Sequence, residues 1–238
     1  MVRAVQAVLF DMGGTLDGDG LHWLDRFAAL YADAGVQLPR ERIRSAFDEA
    51  ERRAAVDEEI ATSNLEAMVS RHVGWRLAHL GLTLPTPAIV DGFVGPVRRA
   101  AADNARMLSH LCARGFRLGV VSNGCGNVDV LCRDLGYASY LSTVVDSRRV
   151  GLYKPDPAIF IYAAARLAVP APNVLMVGDS FDRDIRPARS AGMATAWVEG
   201  ARPRDCPDPA LVDLRLRRLS DLPSALESVA IGVGVPRS

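Results

Sequence analysis

Short apolar runs that stop at glycine-rich or acidic turns recur along this chain. The first covers residues 5–10 and is followed at once by Asp11-Met-Gly-Gly-Thr-Leu-Asp-Gly-Asp-Gly20. Similar runs lie at 116–121 before Ser122-Asn123-Gly124, at 142–145 before Asp146, at 174–177 before Gly178-Asp179-Ser180, and at 194–198. Apolar runs of this length, bounded by turn residues, predict strands buried in a parallel sheet. Stretches with helical spacing separate them, at 105–114, 128–135, 157–167 and 185–191. The alternation predicts right-handed crossovers and a doubly wound, Rossmann-like α/β core. Ligands of such sheets bind outside the carboxyl ends of the strands, where every one of the polar turns falls.

Residues 21–99 follow a different pattern. No strand is predicted there, and apolar residues recur at helical spacing, as in Leu24, Phe27, Ala28 and Tyr31. Further helices are predicted at 41–56, 65–80 and 86–99. The expected organisation is a core built from residues 1–18 and 100–230 and an all-helical cap at 19–99 inserted after the first strand. A helix at 223–230 packs on the core, and 231–238 forms a fraying tail. In the cap, Trp23, Phe47 and Trp75 are assigned to packing, and alternating charges mark solvated faces. His72, His79 and His110 are expected on helix surfaces.

Composition narrows the function by exclusion. The chain has 238 residues, long enough for a substantial core, and its 28 Lys+Arg balance 28 Asp+Glu. Zero net charge provides no basic field for nucleic acid. No run has the length of a membrane span or the pattern of a signal peptide. Cys112, Cys125, Cys132 and Cys206 lack zinc-ligand spacing, so a reducing, cytoplasmic setting is expected. Lys154 is the only lysine, leaving 27 of the 28 cations as arginine.

The polar turns carry the candidate chemistry. Asp11 ends the first strand before glycines that leave it unshielded, and a carboxylate placed there can attack phosphorus to form an acyl phosphate. Asp179, with Asp184 behind it, offers the oxygen ligands that Mg²⁺ prefers, and such a cation offsets the repulsion between nucleophile and phosphate. Thr15, Ser122 and the amides after Gly13 can donate to phosphate oxygens, and Lys154 adds a fixed positive charge.

In this order the motifs resemble those of the haloacid dehalogenase superfamily of hydrolases, over nearly the whole chain. The matching segments are Asp11-Met-Gly-Gly-Thr-Leu-Asp17, Ser122-Asn123, Lys154-Pro-Asp-Pro and Gly178-Asp179-Ser-Phe-Asp-Arg-Asp184-Ile. The resemblance implies Asp11 as nucleophile and Lys154 as charge clamp. It implies Thr15, Ser122 and Asn123, with Lys154, as phosphate binders. The metal ligands would be Asp11, the Gly13 main chain, Asp179 and Asp184, with Ser180 beside them. The implied activity is Mg²⁺-dependent hydrolysis of a small phosphorylated metabolite; the oligomeric state stays open.

One position departs from the phosphatase branch, whose first motif is usually Asp-x-Asp. The second Asp, which serves as acid and then base, is Gly13 here. Its carbonyl can still ligate a cation, but it cannot move a proton, and a positioned acid or base contributes about 10²- to 10⁴-fold. Asp17, Asp19 and His22 are the candidate replacements, with water as the alternative. Cys125 is assigned as a small apolar filler beside the site. Relatives lacking that Asp suggest other reactions. The phosphonoacetaldehyde hydrolase type needs a cap lysine, and this cap has none. The 2-haloacid dehalogenase type carries Tyr there, needs no metal and lacks the Gly-Asp-Ser pattern with a second acid. The remaining alternative is a phosphate-binding or interaction protein that kept the cradle and lost turnover.

Overall fold

The computed structural model describes residues 5–201 and 204–231. Six parallel strands form one sheet in the order β3-β2-β1-β4-β5-β6: β1 (Ala7–Phe10), β2 (Arg117–Ser122), β3 (Thr143–Asp146), β4 (Val174–Gly178), β5 (Ala194–Val198) and β6 (Leu214–Leu216). After β3 the chain returns across the sheet to β4, so the strand order reverses beside β1, where such sheets form their crevice. Phe10 is in register with Val120 on one side and Val177 on the other, which brings the polar turns after β1, β2 and β4 to one level.

Alternation along β1 serves two separate apolar layers. Val8 and Phe10 face one layer with Leu118, Val120, Leu175 and Val177; Ala7 and Leu9 face the other with Val121, Val145, Val174 and Met176. Helix α7 (Ala158–Leu167) covers the second layer through Ile159, Phe160, Ala163 and Leu167, and α8 (Arg186–Ser190) adds Ala188. On the first layer lie α5 (Val128–Asp134), the later turns of α4 (Thr86–Ala113), and α9 (Leu222–Ile231) with Leu222 and Leu226. A short α6 (Ser147–Val150) follows β3 directly.

Between β1 and β2 lies a helical stretch without a strand: α1 (Trp23–Asp33), α2 (Arg40–Ala54), α3 (Leu65–Leu80) and the first half of α4. These helices pack on one another and share the first apolar layer. Two helices were expected at 86–99 and 105–114, but α4 is one helix of 28 residues. Pro96 lies inside it; the ring's clash partner in a helix is the carbonyl four residues back, here that of Gly92, and the apolar stripe Phe93, Val97, Ala101, Leu108, Leu111 runs unbroken past it. The expected boundary near residue 99 therefore falls within continuous helix. β6, of three residues, was not predicted. The expected tail falls, after Ile231, outside the described residues. Among those described, no helix is long and apolar enough to cross a membrane.

Candidate active site

β1 delivers Asp11 to the carboxyl edge, where its amide donates to the Val177 carbonyl at 2.9 Å. The turn Met12–Leu16 then brings its backbone against Asp179. Gly14 has φ +88°, and a Cβ there would lie 2.7 Å from Asp179 Oδ2, so both conformation and space require glycine. Asp179, at the end of β4, is buried, as is Asp184, whose Oδ2 accepts from the Ser180 amide at 3.1 Å. Asp11, Asp179 and Asp184 each place a carboxylate oxygen within 4.8 Å of the others.

Lys154 enters this cluster from the loop before α7. Its Nζ donates to Asp11 Oδ1 at 2.5 Å and to Asp184 Oδ1 at 2.6 Å. Asn123 holds the lysine in place by two backbone bonds. Its Nδ2 donates to the Lys154 carbonyl and its Oδ1 accepts from the Lys154 amide, both at 2.8 Å. The peptide between Lys154 and Pro155 is cis. Burial alone would lower the ammonium's pKa, but the carboxylates of Asp11 and Asp184 outweigh it and hold the group above its ordinary value.

Three buried carboxylates meet one ammonium, and burial shifts the titration of two of them, Asp179 and Asp184. Burial, with Asp11 and Asp184 alongside, pushes Asp179 up to about 8. Burial pushes Asp184 up to about 6, against the pull of Lys154. A cluster of hard oxygen donors with uncompensated charge fits a hard divalent cation such as Mg²⁺.

A pH dependence of stability follows. Between its ordinary value of 3.8 and about pH 8, folded Asp179 retains a proton that the unfolded chain has released. Stability without divalent cation therefore falls as pH rises through this range. His22 and His72, pushed down to about 4 and about 3, act oppositely, but only below their ordinary 6.5. Between pH 6.5 and 8 the Asp179 contribution dominates. Thermal melts in chelator should show a falling midpoint across that window, and saturating Mg²⁺ should flatten it. A midpoint that is flat or rising in chelator contradicts this electrostatic account.

A cavity of about 420 Å³ opens over the cluster, bordered by Asp11, Gly13, Ser122, Asn123, Lys154 and Asp179 from the sheet edge. Its opposite wall comes from the helical insert, including Trp23, Phe47, Glu51 and His72. Trp23 and Phe47, assigned from sequence to packing, both pack on the apolar core and border this cavity. Ser122 lies where expected, at the end of β2. Thr15 is fully buried, and its hydroxyl donates to Asp179 Oδ1 at 3.4 Å. Cys125 borders the cavity with its thiol pushed up by burial to about 12, consistent with an unreactive filler.

The three candidates for the missing acid separate. Asp19 points elsewhere, its Oδ1 accepting from the Leu219 amide at 2.9 Å. Asp17 borders the cavity, but its two oxygens accept from the Gly14 amide and from Trp23 Nε1, both at 2.6 Å, so it braces the turn. His22 caps α1 by accepting from the Leu24 amide and meets Arg183 Nη2 at 3.0 Å through Nε2. Burial, then Arg183, pushes it down to about 4, so the ring is neutral.

His79 and His110 are exposed as expected. His72 is not: it is 1% exposed, on the packed face of α3. The spacing of Leu65, Met68, Val69, Val73, Leu77 and Leu80 contains the signal, because residue 72 falls within that stripe. Arg183, Glu51 and His72 border the cavity and were not assigned to the site from sequence.

Comparison with known proteins supplies a family. A family model described as haloacid dehalogenase-like hydrolase matches residues 5–192. A glyceraldehyde 3-phosphate phosphatase of Methanopyrus kandleri is 40% identical over 100 residues, covering 41% of this chain and 42% of its own length. That match thus spans under half of the relative. A glyceraldehyde 3-phosphate phosphatase of Methanothermobacter thermautotrophicus is 31% identical over 199 residues, covering 82% of this chain and 85% of its own. A 2-haloacid dehalogenase from Pseudomonas syringae pv. Tomato DC3000 shares the fold, with a TM-score of 0.53, 24% identity, and coverage of 94% of this chain and 99% of its own.

Proposed function

We propose that this chain, which belongs to the haloacid dehalogenase-like hydrolases, cleaves a small phosphorylated metabolite through an aspartyl-phosphate on Asp11. One observation carries the reading: Lys154 Nζ bridges Asp11 and Asp184, with Asp179 completing a three-carboxylate cluster at the cavity floor. The phosphatase names of the relatives support the same direction.

Asp11, Asp179, Asp184 and the Gly13 carbonyl would hold Mg²⁺, which when bound offsets the repulsion between an anionic nucleophile and an anionic phosphate. A carboxylate oxygen of Asp11 attacks phosphorus, and the bond from phosphorus to the leaving oxygen breaks. Water then attacks phosphorus, releasing inorganic phosphate and restoring the carboxylate. Lys154 and Ser122 face the transferring oxygens, Asn123 fixes the Lys154 backbone, and Thr15 orients Asp179. The helical insert acts as the cap, walling the cavity and limiting bulk water.

Gly13 provides no proton to the leaving oxygen, so water supplies it. Turnover should then favour leaving groups that depart without one. Acetyl phosphate and p-nitrophenyl phosphate should be hydrolysed with Mg²⁺ and lose nearly all turnover in chelator. Absence of phosphate release, together with metal-independent chloride release from a 2-chloroacid, overturns the phosphatase reading in favour of a dehalogenase.

A further inference from the structure

Arg183 stands on the turn Phe181–Ile185 after β4, beside Asp184, and its amide donates to Ser180 Oγ at 3.3 Å. It is exposed and borders the cavity. Among the described residues its guanidinium makes no ion pair; its Nη2 instead meets Nε2 of His22 at 3.0 Å. The acids nearby are engaged elsewhere: Asp182 faces Arg186 at 3.4 Å and Glu51 faces Arg76 at 3.7 Å. The charge of Arg183 is nevertheless felt inside the cavity. Burial raises the carboxyl of Glu51, on the α2 wall, and Arg76, then Arg183, pull against that rise.

His22 also borders the cavity, with the Phe47 ring 5.4 Å from its own, centre to centre. Its Nδ1 accepts from the Leu24 amide at 3.1 Å, so that nitrogen carries no hydrogen and the ring hydrogen belongs on Nε2. A guanidinium only donates. Nε2 and Arg183 Nη2 are therefore two donors 3.0 Å apart, a contact that no hydrogen bond between them can close. A carboxylate in front of both would accept from each.

The pair stands near the reacting groups. Arg183 is next in the chain to Asp184, and Trp23, next to His22, has its Nε1 3.8 Å from where a Cβ on Gly13 would lie. A ligand whose phosphate meets Asp11 needs only a short chain to reach these donors. We propose that Arg183 and the Nε2–H of His22 form a carboxylate subsite, and that the substrates are phosphomonoesters of short hydroxy acids. This rests on the phosphatase reading above. A carboxylate brings the single charge that one guanidinium meets, with two oxygens for two donors. A second phosphate would bring more charge toward Glu51 and Asp48, which border the same cavity.

The test compares kcat and KM for 3-phosphoglycerate with those for glycerol 1-phosphate, which carries a hydroxymethyl group in place of the carboxylate. The parent should prefer 3-phosphoglycerate by at least about tenfold in kcat/KM. Arg183→Met, at an exposed position and of similar reach, should lower that preference about tenfold, chiefly through KM. Arg183→Lys, which keeps the charge and loses the fork, should recover part of it. His22→Asn, which keeps a capping oxygen for α1 and withdraws the ring N–H, should lower the preference several-fold. Parent preference for glycerol 1-phosphate, or a ratio unchanged in Arg183→Met or in His22→Asn, overturns the proposal.

If no phosphate ester turns over, the phosphatase reading fails by itself, and binding decides the present proposal. Trp23 borders the cavity, so its fluorescence reports occupancy. Quenching by 3-phosphoglycerate at lower concentration than by glycerol 1-phosphate, with the difference lost in Arg183→Met, supports the subsite. Equal or reversed order in the parent, or a difference that survives Arg183→Met, overturns it.

Discussion

Asp11→Asn should abolish turnover of every phosphate ester, by more than about 10⁴-fold, while raising the melting temperature of the chelator-treated protein. The two effects come from the same atoms. A carboxamide is nearly isosteric with the carboxylate and can still accept from Lys154, which also keeps Asp184 at 2.6 Å. It cannot form an acyl phosphate. It also removes one negative charge from a buried cluster in which three carboxylates meet one ammonium. Asp11 is among the causes that raise both Asp179 and Asp184, so its neutralisation lets both return toward ordinary values. The expected rise is at least about 2 °C, the shift that ~1 kcal/mol produces in a chain of this size. Mg²⁺ should then stabilise the variant less than the parent, because a ligand oxygen has lost its charge. A variant that loses activity and also melts lower would mean that Asp11 contributes to the fold rather than being carried at its expense.

This conflict between site and stability was partly legible before any coordinates. Strands buried on both faces read as apolar runs, and the turns that stop those runs mark the sheet's carboxyl edge. Asp11, Ser122, Lys154, Asp179 and Asp184 could therefore be brought together from sequence, and the structure places them around one cavity. Other features depend on what a side chain meets across space. Asn123 was expected at phosphate, yet its amide is engaged by the backbone of Lys154, a contact made across 31 positions of the chain. β6 has three residues with Arg215 exposed between two leucines, too short a pattern to separate from a loop. The length of α4 escaped because helices expected at 86–99 and 105–114 left 100–104 unassigned, although buried Ala101 and Asn104 carry the packed stripe across that gap. His72 was legible in principle, since α3 repeats buried positions every three or four residues and 72 is one of them. A polar identity at that position hid the periodicity, and so did Arg76 one turn further on.

The position that most limits the proposed chemistry is Gly13, and Gly13→Asp should raise turnover of unactivated phosphate esters about 10²- to 10⁴-fold. The backbone accepts the change. Gly13 has φ −74° and ψ 115°, open to any residue, and an added Cβ meets only Trp23 Nε1 at 3.8 Å and Cδ1 at 4.0 Å, ordinary contact distances. Gly14 next to it, with positive φ and Asp179 against it, could not be changed in this way. A carboxyl at position 13 would border the cavity in which the leaving oxygen departs, beside the indole N–H that now donates to Asp17. The gain should depend on the leaving group: large for glycerol 1-phosphate, whose alkoxide needs a proton, and small for p-nitrophenyl phosphate, whose phenolate does not. That contrast separates restored proton transfer from a general improvement in binding, which would raise both alike. Equal gains would mean improved binding alone, and no gain for glycerol 1-phosphate would show that proton supply to the leaving oxygen does not limit the parent.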